Sequence, residues 1–183
     1  MTAAAFEQLS TDRPRPGALD VLVAGALATV AFDLFGQGVS PALGFANLSP
    51  VGLANSTLQA LFGAPWTPGA QMMHYFAGLA AYPLGWLLVA RPLWRRFAPG
   101  LHWALAAAAY GVGLWIFALF VMAYLVAGLP AFLNFTGITW VALVGHVLFA
   151  LVAAWALEAR RLNPRRDAGR IRGARSAPPP AGR

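Results

Sequence analysis

Four long stretches of the chain are almost free of polar positions: residues 19–36, 70–89, 101–127 and 137–158, each bounded by Gly, Pro or Arg at one or both ends. A helix rises about 1.5 Å per residue, so roughly 20 predominantly apolar residues cross the ~30 Å hydrocarbon core of a bilayer. The pattern therefore predicts an all-α protein, a polytopic four-helix transmembrane bundle. Its first helix is the least apolar, because Asp20 and Asp33 lie within it. The connection between the first two helices, residues 37–69, is too long for a plain loop and contains helix signals of its own. Ser49 before Pro50 reads as an N-cap and first-turn pair, Gly63 as a stop, and Leu58, Leu61 and Phe62 fall at helical spacing. A short interfacial helix is expected at about 50–62, lying flat over one end of the bundle.

Composition strengthens this picture. Hydrophobic residues make up 59% of the 183 positions and charged residues only 10%, an apolar excess that a single soluble core cannot hide. Cysteine is absent, which excludes disulfides, thiolate metal sites and a cysteine nucleophile. All 13 basic residues are Arg, and with the wealth of Ala, Gly and Pro this fits the codon usage of a GC-rich bacterium.

Charge placement supplies an orientation. Arg13 and Arg15 precede the first stretch, Arg91, Arg95 and Arg96 lie between the second and third, and the remaining Arg residues follow the fourth. The other two connections, 37–69 and 128–136, carry no charge. Cytoplasmic loops hold the Arg excess, so both termini are expected in the cytoplasm and the protein in a bacterial inner (plasma) membrane. Residues 1–18 then form a cytoplasmic tail, 19–158 the membrane domain, and 159–183 a basic, Pro-ended tail too poor in apolar residues to fold. Such a tail beside anionic lipid needs no nucleic-acid partner. A cleaved signal peptide competes for the first stretch, but Asp12 and Asp20 dilute the positive charge of its leading region and no clear small-residue cleavage site follows. Indole rings favour the headgroup region, so Trp66 and Trp140 mark the outer face and Trp94, Trp103 and Trp155 the inner one. Trp86 and Trp115 sit deeper, as packing residues.

Few polar groups remain inside the membrane, and each is a functional candidate because burial there is costly. Asp33 and His74 are each placed about one turn from the outer end of their helices, close enough to pair. His146 lies deeper, roughly 14 Å from the outer end of the fourth helix, with Gly145 beside it allowing close approach of a helix or ligand. Tyr82, Tyr110 and Tyr124 are hydrogen-bond candidates, and Pro83 a kink. Three uses compete for this set. The first is interhelical hydrogen bonding by His, Tyr, Asp and Thr29 between helices drawn together by stripes such as Ala107-x-x-x-Gly111. The second is a transport or proton pathway through Asp33, His74 and His146. The third is haem ligation by the two histidines, against which their depths differ by about 6 to 8 Å. His102, Asp20 and Glu158 are read as interface or solvated groups. No nucleotide-binding, zinc-protease or serine-hydrolase motif is present, and Ser40, Ser49 and Ser56 sit amid turn signals, so no enzyme and no cofactor are expected.

His74 and His146 each open an aromatic and small-residue string running to an Ala-Arg pair, and 31–35 lies faintly in register with 116–120. This suggests two tandem helical hairpins. With Gly78 and Gly145, the same histidine pattern resembles the YagU-like small bacterial inner-membrane proteins over roughly 19–158. The resemblance implies a four-helix bundle and an association with acid stress, and it carries over no catalytic residue. The expectation is a structural or accessory membrane protein whose partners are the bilayer and other membrane subunits or a second copy.

Overall fold

The structure, a computed structural model, describes residues 16–159. The expected basic tail and nearly all of the expected N-terminal tail lie outside these residues. Regular structure among the described residues is helical throughout. Four helices, α1 (Ala18–Ala42), α3 (Thr67–Phe97), α4 (Trp103–Val126) and α5 (Gly137–Ala159), are long and apolar enough to cross a membrane. A shorter helix, α2 (Pro50–Phe62), lies between α1 and α3. The result is an all-α four-helix bundle with α2 across one end. That end is called the α2 end, and the other, where α1 begins and α5 stops, the terminal end.

The local signals around α2 explain its limits. Pro50 occupies the first turn, where its missing N–H costs nothing, and Gly63 takes the left-handed conformation (φ 78°) that closes the last turn on the Gln59 carbonyl at 3.0 Å. Ser49 holds the N-cap position, but its side chain makes no capping hydrogen bond, contrary to expectation. α1 runs beyond the predicted limit at 36, and α3 runs on to Phe97, absorbing the three arginines expected in a loop.

Prolines shape both of these helices. Turns bonded five residues back rather than four occur at Leu34–Val39 in α1 and at Ala77–Ala81 and Trp86–Ala90 in α3. Each ends two residues before a proline, Pro41, Pro83 or Pro92. A proline lacks the N–H that its fourth predecessor would bind and crowds that carbonyl, so the preceding turn opens. A fourth wide turn, Phe117–Val126 in α4, contains no proline.

Small residues set how closely the helices approach. A Cβ at Gly111 of α4 would stand 2.6 Å from the Val147 Cα of α5, and Ala107 one turn earlier is wholly buried. α1 meets α3 in the same way, a Cβ at Gly25 falling 2.7 Å from the Gly78 carbonyl oxygen. α1 also lies along α5, through Ala24, Ala28 and Phe32 against Phe149, Ala153 and Ala154. Each hairpin is thus paired internally, α1 with α3 and α4 with α5. Contacts between the hairpins are unequal, because α3 and α4 meet mainly through Trp86 and Tyr110, whose rings are 5.9 Å apart. The Tyr110 hydroxyl also donates to the Tyr82 carbonyl at 2.7 Å.

Candidate functional site

Beyond Tyr110, toward the α2 end, α3 and α4 part and leave a cavity of about 340 Å³. Its shape follows from the backbone irregularities. The wide turns of α3 and α4 supply two walls, α1 and α5 form the back with Phe32, His146 and Phe149, and Leu48, Leu53, Ala54 and Thr57 roof it. Leu133 closes one side from an unusual segment. Phe132, Leu133, Asn134 and Phe135 all have φ between 47° and 55°, the left-handed region that L-residues avoid. Thr139, itself wholly buried, holds that turn by donating its hydroxyl to the Phe132 carbonyl at 2.6 Å, and the Phe132 ring packs 4.9 Å from Trp115.

Almost all of the lining is apolar, and no Arg, Lys, Asp or Glu belongs to it. The polar groups are few and specific. His74 donates Nε2–H to Asp33, lying 3.1 Å from both carboxylate oxygens, as the sequence led one to expect. Both helices extend farther than expected, α1 to Ala42 and α3 back to Thr67, so the pair sits deeper than one turn, yet still level. Gln37 Nε2 donates to the Asp33 Oδ1 at 2.9 Å and completes the carboxylate's surroundings. His146 donates Nδ1–H to the Ala142 carbonyl at 2.7 Å, an acceptor that fixes the tautomer of the neutral ring and leaves Nε2 with a lone pair. The Phe32 ring stands between the two imidazoles, 6.4 Å from His74 and 5.2 Å from His146.

Thr29 also lines the cavity. It was expected to bond between helices, but its hydroxyl makes no hydrogen bond although the residue is only 5% exposed. Gly78 is what lets it sit there, since the Thr29 side chain fills the position a Cβ at 78 would take. Tyr82 borders the cavity and sets its ring edge-on to Phe149 at 5.7 Å. Gly145 admits the Phe32 ring, 3.0 Å from where its Cβ would be, so the close approach it permits is to α1.

Polar residues elsewhere have structural partners. Glu158, read from the sequence as a solvated boundary charge, is instead ion-paired with Arg91 at 2.9 Å, and Arg91 is buried. The partner lies 67 positions away in the sequence, which is why local pattern did not reveal it. His102 caps α4, its Nδ1 accepting from the Ala104 N–H at 3.3 Å. Asp20 accepts from the Gly17 N–H at 3.0 Å at the start of α1. Of the five tryptophans expected at the faces, Trp66, Trp140 and Trp155 are exposed, whereas Trp94 and Trp103 are partly buried, with Trp94 donating to the Leu101 carbonyl at 2.9 Å. Trp115 is a packing residue, its Nε1 donating to the Thr139 carbonyl at 3.0 Å.

The site therefore offers an apolar volume, two imidazoles oriented through one nitrogen each, and an unused hydroxyl. Ser49 is the only serine in the lining, and it makes no hydrogen bond to either histidine. Among the described residues no cluster of three His, Asp or Glu could hold a metal ion. The chain matches no protein-family model, no curated protein and no solved structure.

Proposed function

We propose that this chain is a multi-pass protein of a bacterial inner membrane, with both termini cytoplasmic, that binds a small lipophilic molecule without transforming it. The supporting observation is the cavity between α3 and α4, about 340 Å³ of apolar space with two oriented imidazoles at its wall. This volume lies at the lower end of small-molecule sites, which run to roughly 300–1,000 Å³. With the termini inside, charge-free α2 lies on the outer surface and the cavity opens in the outer half of the bilayer. In this reading the protein is an accessory or carrier component, alone or within a larger membrane assembly. Native mass spectrometry after mild-detergent extraction tests it: the parent should retain a non-protein mass that Ala77→Phe, which fills the wide-turn wall, excludes. Equal adduct profiles for a folded variant and the parent would count against the site.

The Asp33–His74 pair favours a proton pathway as a second reading. From His146 toward the terminal end, however, α5 buries Phe149, Ala150, Ala153, Ala154 and Leu157 before Glu158 is reached. Along α5 no His, Asp or Glu follows His146 before Glu158. In proteoliposomes, proton flux unchanged by Asp33→Asn and His74→Ala would eliminate the pathway. A haem would bring two propionates to a lining without a cation. A Soret band in protein expressed with haem supply would overturn that argument.

A further inference from the structure

Resting on the binding reading, we infer that the cavity selects a neutral lipophilic molecule whose polar end is a hydroxyl group, a quinol or a long-chain alcohol. Three observations carry this. First, His146 is only 7% exposed, its Nδ1–H is committed to the Ala142 carbonyl, and Nε2 has no partner among the described residues. Its neutral ring therefore presents an acceptor to the cavity, which a ligand O–H can satisfy and an ether or ketone oxygen cannot. Second, the buried Thr29 hydroxyl makes no hydrogen bond on the same lining. Its Oγ1 packs against Gly78, and rotation about χ1 to the other helical threonine rotamer would bring the hydroxyl to the lining, to donate to the oxygen of a ligand hydroxyl that itself donates to the imidazole. Third, charge is wrong for other lipid head groups. No Arg or Lys reaches the lining, so a carboxylate or phosphate would be desolvated without a counter-ion. Asp33 is held by His74 and Gln37, which leaves it poorly placed to receive an ammonium. A hydroxyl is the neutral group that both orphaned partners accept.

The test uses the full chain in nanodiscs and calorimetric titration with matched pairs: a decyl-substituted benzoquinol with its dimethyl ether and its quinone, and dodecanol with its methyl ether. Each hydroxyl form should bind at least tenfold more tightly than its ether, as expected for hydrogen bonds made to groups otherwise left unsatisfied. Which parent binds more tightly identifies the source. Thr29→Val and His146→Phe should each bring the ratio down toward one while ether binding persists. His146→Gln, which keeps a polar atom, is the control for folding and should retain part of the preference. Ala77→Phe should weaken hydroxyl and ether forms alike. Equal binding of hydroxyl and ether by the parent overturns the hydroxyl selectivity and leaves the cavity reading intact. Binding of neither form, or binding untouched by Ala77→Phe, overturns both.

Discussion

At the terminal end, Arg91 and Glu158 close on each other at 2.9 Å and Trp94 donates to the Leu101 carbonyl, while midway along the bundle Tyr110 donates to the Tyr82 carbonyl. At the α2 end, Thr29 makes no hydrogen bond and His146 keeps a free ring nitrogen beside a cavity of about 340 Å³. The terminal end has an orphan too, Trp86 Nε1, but its ring is stacked on Trp94 and tilted against Tyr110 and does not line the cavity. The same four helices thus use polarity in two ways. Near the termini polar groups join helices together. Near α2 the Asp33–His74 pair also joins α1 to α3, but beside the cavity polar groups are in addition left unsatisfied, at a cost of about 1 to 3 kcal/mol for each buried group. Cost without a structural return is what a binding site looks like.

The largest expected effect lies at the terminal end. Glu158→Ala removes the carboxylate that faces the buried Arg91 guanidinium at 2.9 Å and should destabilise the bundle by about 3 kcal/mol. Arg95, 3.7 Å from Glu158 but half exposed, contributes little, so Arg95→Ala should change stability by under about 0.5 kcal/mol. Melting followed by tryptophan fluorescence in detergent gives both values. Equal effects would mean that the pair acts as a screened surface bridge and that the two ends do not differ as described.

Next comes helix contact. Gly111→Ala puts a methyl group into the α5 backbone at Val147 and should cost about 2 kcal/mol, since neither backbone can yield without moving a helix. Gly113, whose Cβ would meet nothing within 4 Å, is the control, and Gly113→Ala should be neutral or slightly stabilising through helix propensity. A comparable loss at both positions would show that propensity, not contact, decides.

These pairs also show what could be read from the chain. Gly111 was legible because the Ala107-x-x-x-Gly111 spacing places both residues on one face, and α2 was legible because Pro50 and Gly63 punctuate it locally. The Asp33–His74 pair was legible from depth, although both helices extend farther than their apolar cores. Arg91 was not, since an arginine next to a proline reads as a loop until a partner in α5 is known. The cavity was not legible either. It depends on wide turns in α3 and α4 and on the left-handed turn at Phe132–Phe135, and hydropathy registers none of these. His74 and His146, expected at different depths, border the same cavity.

The left-handed turn gives the third prediction. Thr139→Val keeps the shape of a wholly buried residue but leaves the Phe132 carbonyl without its 2.6 Å donor. It should cost about 1.5 kcal/mol. Because Leu133 lies on the cavity wall, the variant should also weaken ligand binding. A stability loss with unchanged binding would detach the turn from the site.

The smallest effect is the sharpest, because its sign is unusual. Thr29→Val replaces a buried, unbonded hydroxyl with a methyl group of nearly the same size. Folding no longer has to desolvate that group, so stability should rise by about 1 kcal/mol. Binding of a hydroxyl-bearing ligand should fall in the same variant. Opposite movements of the two quantities are what a residue kept for a ligand predicts. If Thr29→Val instead destabilises the protein, the hydroxyl has a structural partner and the α2 end is built on the same rule as the terminal end.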